Sequence, residues 1–264
     1  MKIVIFTSKN HFYANEVLKF LIRNFPDQIK LIIESEALIP GRSKFAGLIK
    51  YEKISGFNYV FSQVLKQYIF QFLSLISHGL RKDNFYFSYK KIYKNKIESW
   101  EKLAQVGRLI PVVEKEEPDL IISIYSKYIL KKEMLHLAKL AVNLHPSLLP
   151  DYRGISPVFW ALANQEKKTG VTLHQMSEQI DAGRIISQQE IMIAEKETEH
   201  SLYLKCSQAG SRLLKEFILE SGPADFKEKG EKGRYFSLPT RESVRNFKKD
   251  GRKFFTLREL MSIF

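Results

Sequence analysis

At 264 residues the chain is long enough to bury a large core, as one domain with an extension or as one large and one small domain. Its 44% apolar content argues against global disorder, and its single cysteine excludes an intrachain disulfide framework and a cysteine-rich zinc site. The net charge of +13 predicts anionic partners without saying which. Two stretches, 81–102 and 227–258, concentrate that charge, but neither has the interleaved aromatics and glycines of an RNA-binding sheet, so solvated helix faces are the expected use.

In chain order, residues 2–7 (KIVIFT) form a short apolar run, expected of a strand covered on both faces. The run is too short for a signal-peptide core, and the expected compartment is the cytoplasm. Residues 14–25 place Val17, Leu18, Leu21, Ile22 and Phe25 at helical spacing, and 29–34 read as a second strand. This β-α-β opening implies a parallel pair with a right-handed crossover, and so an α/β fold. The first turn, Thr7 to Asn10, lacks the glycines of a dinucleotide site.

Residues 41–97 read as an irregular, partly helical insertion. Within it, 59–80 sets Phe61, Leu65, Tyr68, Phe72, Leu75 and Ile76 along one side of a helix, with Ile69, Phe70 and Leu73 widening the stripe. Gln63, Lys66, Gln67 and Gln71 interrupt it, which argues against a transmembrane span. Packing on the core or on a second copy is the expected use, ahead of lying in a membrane interface. The aromatic and basic run YFSYKKIYKNK that follows reads as the border of an anionic acceptor site or as a plain surface loop.

Residues 100–114 are expected to form one helix disturbed at Pro111, leading to a central strand over 120–125. Further strands follow at 141–145 and 170–176, with a helix over about 156–164 between them and an antiparallel edge strand at 185–193. A long amphipathic helix at 199–219 closes the fold. Cys206 reads as a small residue on that helix, and His200 as a surface or substrate-side residue. From Gly222 the composition turns to glycine and charge, which divides the chain into a catalytic domain at 1–221 and a basic extension at 222–264. Thr240 is a candidate N-cap for a helix over 241–249, stopped by Gly251.

The densest chemistry lies at 141–154, AVNLHPSLLPDYRG. Alternation on a strand puts Asn143 and His145 on one face, and Pro146 ends the strand after them. In open α/β sheets ligands bind at such carboxyl ends. Asp181, on a loop with Gly183, is placed to fold back toward the imidazole. An amide, an imidazole and a carboxylate suit acyl transfer to an amine, by holding an oxyanion and moving protons. His174 reads as a strand residue hydrogen-bonded below the site rather than as a second catalytic histidine. By spacing alone, an Asn-x-His pair on a strand is a structural feature.

The full string is more specific. N-L-H-P-S-L-L-P-x-Y-R-G from Asn143, G-V-T-L-H from Gly170 and I-D-A-G-R-I-I-S-Q from Ile180 closely resemble the folate-dependent formyltransferases. That family includes the methionyl-tRNA, glycinamide ribonucleotide and amino-sugar N-formyltransferases, and the resemblance is dense from about 118 to 193. It implies a Rossmann-like, mostly parallel sheet with helices on both faces. It implies transfer of a formyl group from N10-formyltetrahydrofolate to a primary amine, with Asn143, His145 and Asp181 as the catalytic trio and no metal. The segment 124–130 would border the pterin, so Tyr125, Ser126, Ile129 and Leu130 are candidate cofactor contacts, with Met176 and Ile180. Ser147, Arg153 and Gly154 are candidates on the acceptor side, where Arg153 either contacts an anionic substrate or braces its loop.

The chain also departs from the family's branches. It lacks the glycine-rich phosphate loop of the glycinamide ribonucleotide enzymes, and the segment after 221 is too short for the β-barrel of the tRNA enzymes. The expected acceptor is therefore a small anionic amine, foremost an amino-sugar nucleotide, and not a nucleic acid. A formyltetrahydrofolate hydrolase is the enzymatic alternative, although the regulatory domain those enzymes usually carry has no room here. A basic RNA- or membrane-binding protein on an inactive core is the other. A homodimer would form through the 57–80 helix or the C-terminal extension.

Overall fold

The computed structural model describes residues 1–36, 43–79, 96–105, 107–220 and 233–261. The expected junction at Gly222, the basic-aromatic run up to residue 95, and the side chains of Leu75 and Ile76 lie outside the described residues. Strands β1 (Ile3–Ser8), β2 (Ile29–Ser35), β3 (Ile97–Ser99), β4 (Leu120–Ile124), β5 (Leu140–His145), β7 (Lys168–Gln175) and β8 (Ile185–Met192) form the main sheet, in the order β3-β2-β1-β4-β5-β7-β8. The first five are parallel, and β7 and β8 are antiparallel to their neighbours. A second small sheet pairs β6 (Arg153–Gly154) with β9 (Tyr235–Phe236).

Alternation along the strands divides the core. Ile3, Ile5, Ile122, Ile124, Val142 and Leu144 pack against α1 (Phe12–Asn24) and the long helix α8 (Glu199–Leu219). Val4, Phe6, Ile121 and Ala141 face the other way, where Val113 and Met134 meet them from α5 (Leu109–Lys115) and α6 (Lys132–Leu135). Fully buried parallel strands need apolar residues at both phases, which is why β1 and β4 read as continuous runs.

The expected single helix at 100–114 is two. Gly107, at φ +64°, ends α4 (Trp100–Gln105), and α5 starts afresh at Leu109. Pro111 is the third residue of α5, inside the first turn where a backbone N–H has no intrahelical partner, so it breaks nothing.

The insertion holds α2 (Lys44–Ser55) and α3 (Phe57–Gly79). The face of α3 that packs inward carries Tyr59, Lys66 and Phe70, whereas Phe61, Leu65, Tyr68 and Phe72 point to solvent. The core packing expected of that stripe thus holds for Phe70, with Ile69 and Leu73 beside it, and not for Phe61, Leu65, Tyr68 and Phe72. His200, expected at the surface or on the substrate side, is buried instead, with Nδ1 2.8 Å from the Tyr13 hydroxyl and its ring tilted against the stacked Phe12 and Phe70. It sits in the first turn of α8, whose long buried face draws it inward.

Residues 233–261 pack onto the rest. Thr240 caps α9 (Arg241–Lys249), as its side chain accepts from Ser243 N at 3.1 Å, and Gly251 follows at φ +73°. Val244, Phe247 and Phe254 join Tyr59, Phe159 of α7 (Pro157–Ala163) and Leu202 in one apolar cluster. The short helix α10 (Leu257–Met261) reaches α3 through Leu260. Among the described residues no helix is long and apolar enough to cross a membrane.

Candidate active site

Sheet register builds the site. Ser123 on β4 lies beside Asn143 on β5, and Asn143 lies directly opposite His174 on the antiparallel β7. Opposed residues share a face, so an amide and an imidazole meet there. His145 lies two residues beyond Asn143 on the same face, at the end of β5. Above them opens a pocket of about 500 Å³, within the range that holds a cofactor-sized ligand.

The polar groups converge on Asp181. Its Oδ2 accepts from Gly154 N at 2.8 Å and lies 3.5 Å from His145 Nδ1, while its Oδ1 accepts from Asn143 Nδ2 at 3.3 Å and lies 3.7 Å from His174 Nε2. Gly154 is at φ +97°, and a Cβ there would stand 2.3 Å from the Phe236 carbonyl, so the tail strand β9 closes against a residue only glycine fits. Tyr125, Tyr152, Ser156 and Asp181 also have left-handed φ. Such conformations cost energy in residues with side chains and collect at functional sites.

Acceptor-only carbonyls decide the histidine tautomers. His145 Nε2 lies 2.9 Å from the Tyr152 carbonyl, which can only accept, so Nε2 carries the proton and Nδ1 is the nitrogen open to Asp181. His174 Nδ1 lies 2.9 Å from the Gln175 carbonyl, so Nδ1 carries its proton. The Nε2 of that tautomer then accepts from Asn143 Nδ2 at 3.1 Å. Both N–H groups of the Asn143 amide are engaged, the one to Asp181 at the longer distance.

Burial lowers the proton affinity of His145 and outweighs the raising effect of Asp181, so the imidazole is neutral near pH 7. Burial works to raise Asp181, but the adjacent His145 and the Gly154 N–H hold it well below the usual carboxylate range. The result is a neutral base beside a fixed anion.

The other expected residues fall in two groups. Tyr125, Ser126, Ile129, Leu130, Met176, Ile180 and Gly154 all line the pocket. Ser147 and Arg153 do not. Ser147 is fully buried, and its Oγ donates to the Asp151 carbonyl at 2.9 Å. Arg153 donates to the Ile180 carbonyl from Nη2 at 2.6 Å and from Nε at 3.1 Å, so it ties its loop to the Asp181 turn. Ser147, expected on the acceptor side, is thus a loop brace, and Arg153 takes the bracing use that was one of its two expected ones. His11, Lys50, Tyr51, Lys127 and Tyr203 also line the pocket; they come from four separate segments, of which only the stretch around Lys127 was marked by the sequence. Among the described residues no group of three or more His, Cys, Asp or Glu could hold a metal ion.

A family model described as formyl transferase matches residues 1–218. The bifunctional polymyxin resistance protein ArnA of Wigglesworthia glossinidia brevipalpis is 44% identical over 151 residues, 55% of this chain but only 23% of that relative's length. An N-formyltransferase from Helicobacter canadensis, solved with folinic acid and dTDP-3-aminofucose, superposes with a TM-score of 0.55 at 20% identity, over 98% of this chain and 82% of its own. Phosphoribosylglycinamide formyltransferase from Anaplasma phagocytophilum superposes at 0.57 and 16% identity, over 89% and 98% respectively. At such identities the two structures show a shared fold.

Proposed function

The chain belongs to the formyl transferase family, and we propose that its site transfers the formyl group of N10-formyltetrahydrofolate to the primary amine of an amino-sugar nucleotide. The observation that carries this reading is the meeting of Asn143, His145 and Asp181 at the floor of one pocket. The pterin would lie along Tyr125, Ser126, Ile129 and Leu130, with Met176 and Ile180 opposite. The acceptor would enter beside Gly154, with Lys50 and Lys127 near its diphosphate. Three points favour a sugar nucleotide. The first turn holds no phosphate-binding glycine run, the pocket carries two lysines, and a structural neighbour was solved with dTDP-3-aminofucose.

In the proposed reaction the neutral amine attacks the formyl carbon, and the carbonyl oxygen becomes an oxyanion. The Asn143 N–H that points at Asp181 over 3.3 Å is the longer and more easily diverted donor, and it would turn to that oxyanion. The new C–N bond leaves a proton in excess on the amine. His145 Nδ1 would take it and pass it to N10 of the folate as the C–N10 bond breaks, with Asp181 stabilising the transient imidazolium. The products are a formamide and tetrahydrofolate, so atoms and charge balance.

The test is to incubate the enzyme and N10-formyltetrahydrofolate with a panel of amines and look for formylated products by mass spectrometry. Tetrahydrofolate release that requires an amino-sugar nucleotide supports the reading. Formylation of a non-sugar amine alone would overturn the acceptor. Release that requires no amine would overturn the transferase.

A further inference from the structure

The insertion and the tail pack on one another. Helix α2 packs on α3 and on α9, and α3 packs on α10, with Arg241 of α9 bonded to Glu52 of α2. Along α3, Phe57, Phe61, Leu65, Tyr68 and Phe72 recur every three or four residues and all face solvent, Phe57 at 67% and Phe72 at 62% exposure. Spacing of this kind puts them in one stripe. Phe45 on α2 and Leu257 and Met261 on α10 are exposed as well. Isolated apolar residues on a surface need no explanation, but a run of large ones on one helix marks a contact site.

Charge selects the partner. Apart from the buried Lys66, these four helices carry eight Lys and Arg against three Glu, whereas the whole chain carries 42 against 29. A second copy would bring the same excess of positive charge to the contact and be repelled. An anionic bilayer offers acyl chains for the aromatic stripe and headgroups for the cations. We propose that this face, centred on α3, is a docking surface for an anionic membrane. The protein lies on the bilayer and does not span it, since the inner side of α3 is occupied by Tyr59, Lys66 and Phe70. Lys50 and Tyr51 of α2 line the pocket, so docking sets the pocket mouth close to the lipid headgroups.

The proposal is independent of the reaction, and its test uses no turnover. The full chain is floated with vesicles of phosphatidylglycerol and phosphatidylcholine, or of phosphatidylcholine alone. Binding about ten-fold stronger to the anionic vesicles, weakened by salt, is expected from combined apolar and charge attraction. The triple variant Phe57→Ser, Phe61→Ser, Phe72→Ser should lose that binding while it melts at the wild-type temperature. Arg245→Glu with Lys249→Glu should reduce it and remove the salt sensitivity. Wild-type protein that ignores anionic vesicles, or a triple variant that still binds them, would overturn the proposal. So would a stable dimer in sedimentation that the triple variant splits, which would assign the face to a second copy.

Discussion

The imidazole of His174 accepts a hydrogen bond from the carboxamide of Asn143 across 3.1 Å, with its own proton held by the Gln175 carbonyl. An amide is nearly symmetric in shape, and either end could face the pocket. A lone pair fixed on His174 Nε2 requires the NH2 end beside it. His174 therefore orients the group proposed to hold the oxyanion.

His174→Leu removes that acceptor and should lower kcat roughly 10- to 100-fold, somewhat less than outright loss of an oxyanion donor, with KM for the folate little changed. His174→Gln, whose Oε1 can accept, should recover much of the rate. Steady-state kinetics of the two variants decide it. Equal loss in both, or a change confined to KM, would leave His174 without an orienting role.

Substitution of the trio should affect turnover far more than folding. Asn143→Ala should cost about 10²–10³ in kcat, and His145→Ala about 10²–10⁴, from the usual worth of an oxyanion donor and of a general base. Near-wild-type rates in both, at unchanged melting temperature, would refute the assigned roles.

The rate should also fall on the acid side. His145 must be neutral to take a proton, and burial sets its pKa below the ordinary 6.5, so kcat/KM should be level near pH 7 and drop only below 6.5. Asp181 raises that pKa. The residual activity of Asp181→Asn should therefore lose rate at a lower pH than wild type. A pH profile in which the acid limb moves upward would contradict this sign.

Stability should depend on pH through two other histidines. His11 and His200 are both lowered to about 3, chiefly by burial, from an ordinary value of 6.5. Between those values the unfolded chain binds protons that the folded chain refuses. Stability is thus fully present above 6.5 and declines as pH falls toward 3, by up to about 1.4 kcal/mol per pH unit for each histidine. His145 acts in the same direction. Urea unfolding at pH 7 and pH 5 measures this, and equal midpoints would contradict it.

Gly183 has no room for a side chain, because a Cβ would stand 1.6 Å from the Gln175 carbonyl oxygen. Gly183→Ala must move the Asp181 turn or the carbonyl that holds His174. It should cost about 1–3 kcal/mol, as overpacking does, and lower kcat as well. Thermal unfolding with kinetics tests both parts, and a variant that melts and turns over as wild type would disprove it.

Much of the molecule was legible from local pattern. Alternation and apolar runs located the main strands near the site. Pro146 marked the end of β5, and Thr240 and Gly251 bounded α9 to the residue. Asn143 and His145 stood out because they share one contiguous string, and Asp181 because it sits in a second short string, Ile180 to Gln188. Such features rest on period, cap chemistry and backbone restriction, which act within a few residues.

Other features depended on groups far apart in sequence. The antiparallel register of β5 and β7, set by the whole sheet, put His174 opposite Asn143. Arg153 became a brace because the Ile180 carbonyl arrives from a different loop, 27 residues away. The stripe on α3 has two apolar sides, and helical period alone is blind to which side meets a neighbour. The packing of Tyr59 and Phe70 against α7, α1 and the tail chose the buried side and left the other in water. Local pattern was enough to say which residues share a face of each element. What each face meets came from the packed fold, because burial is a property of the neighbours and not of the segment.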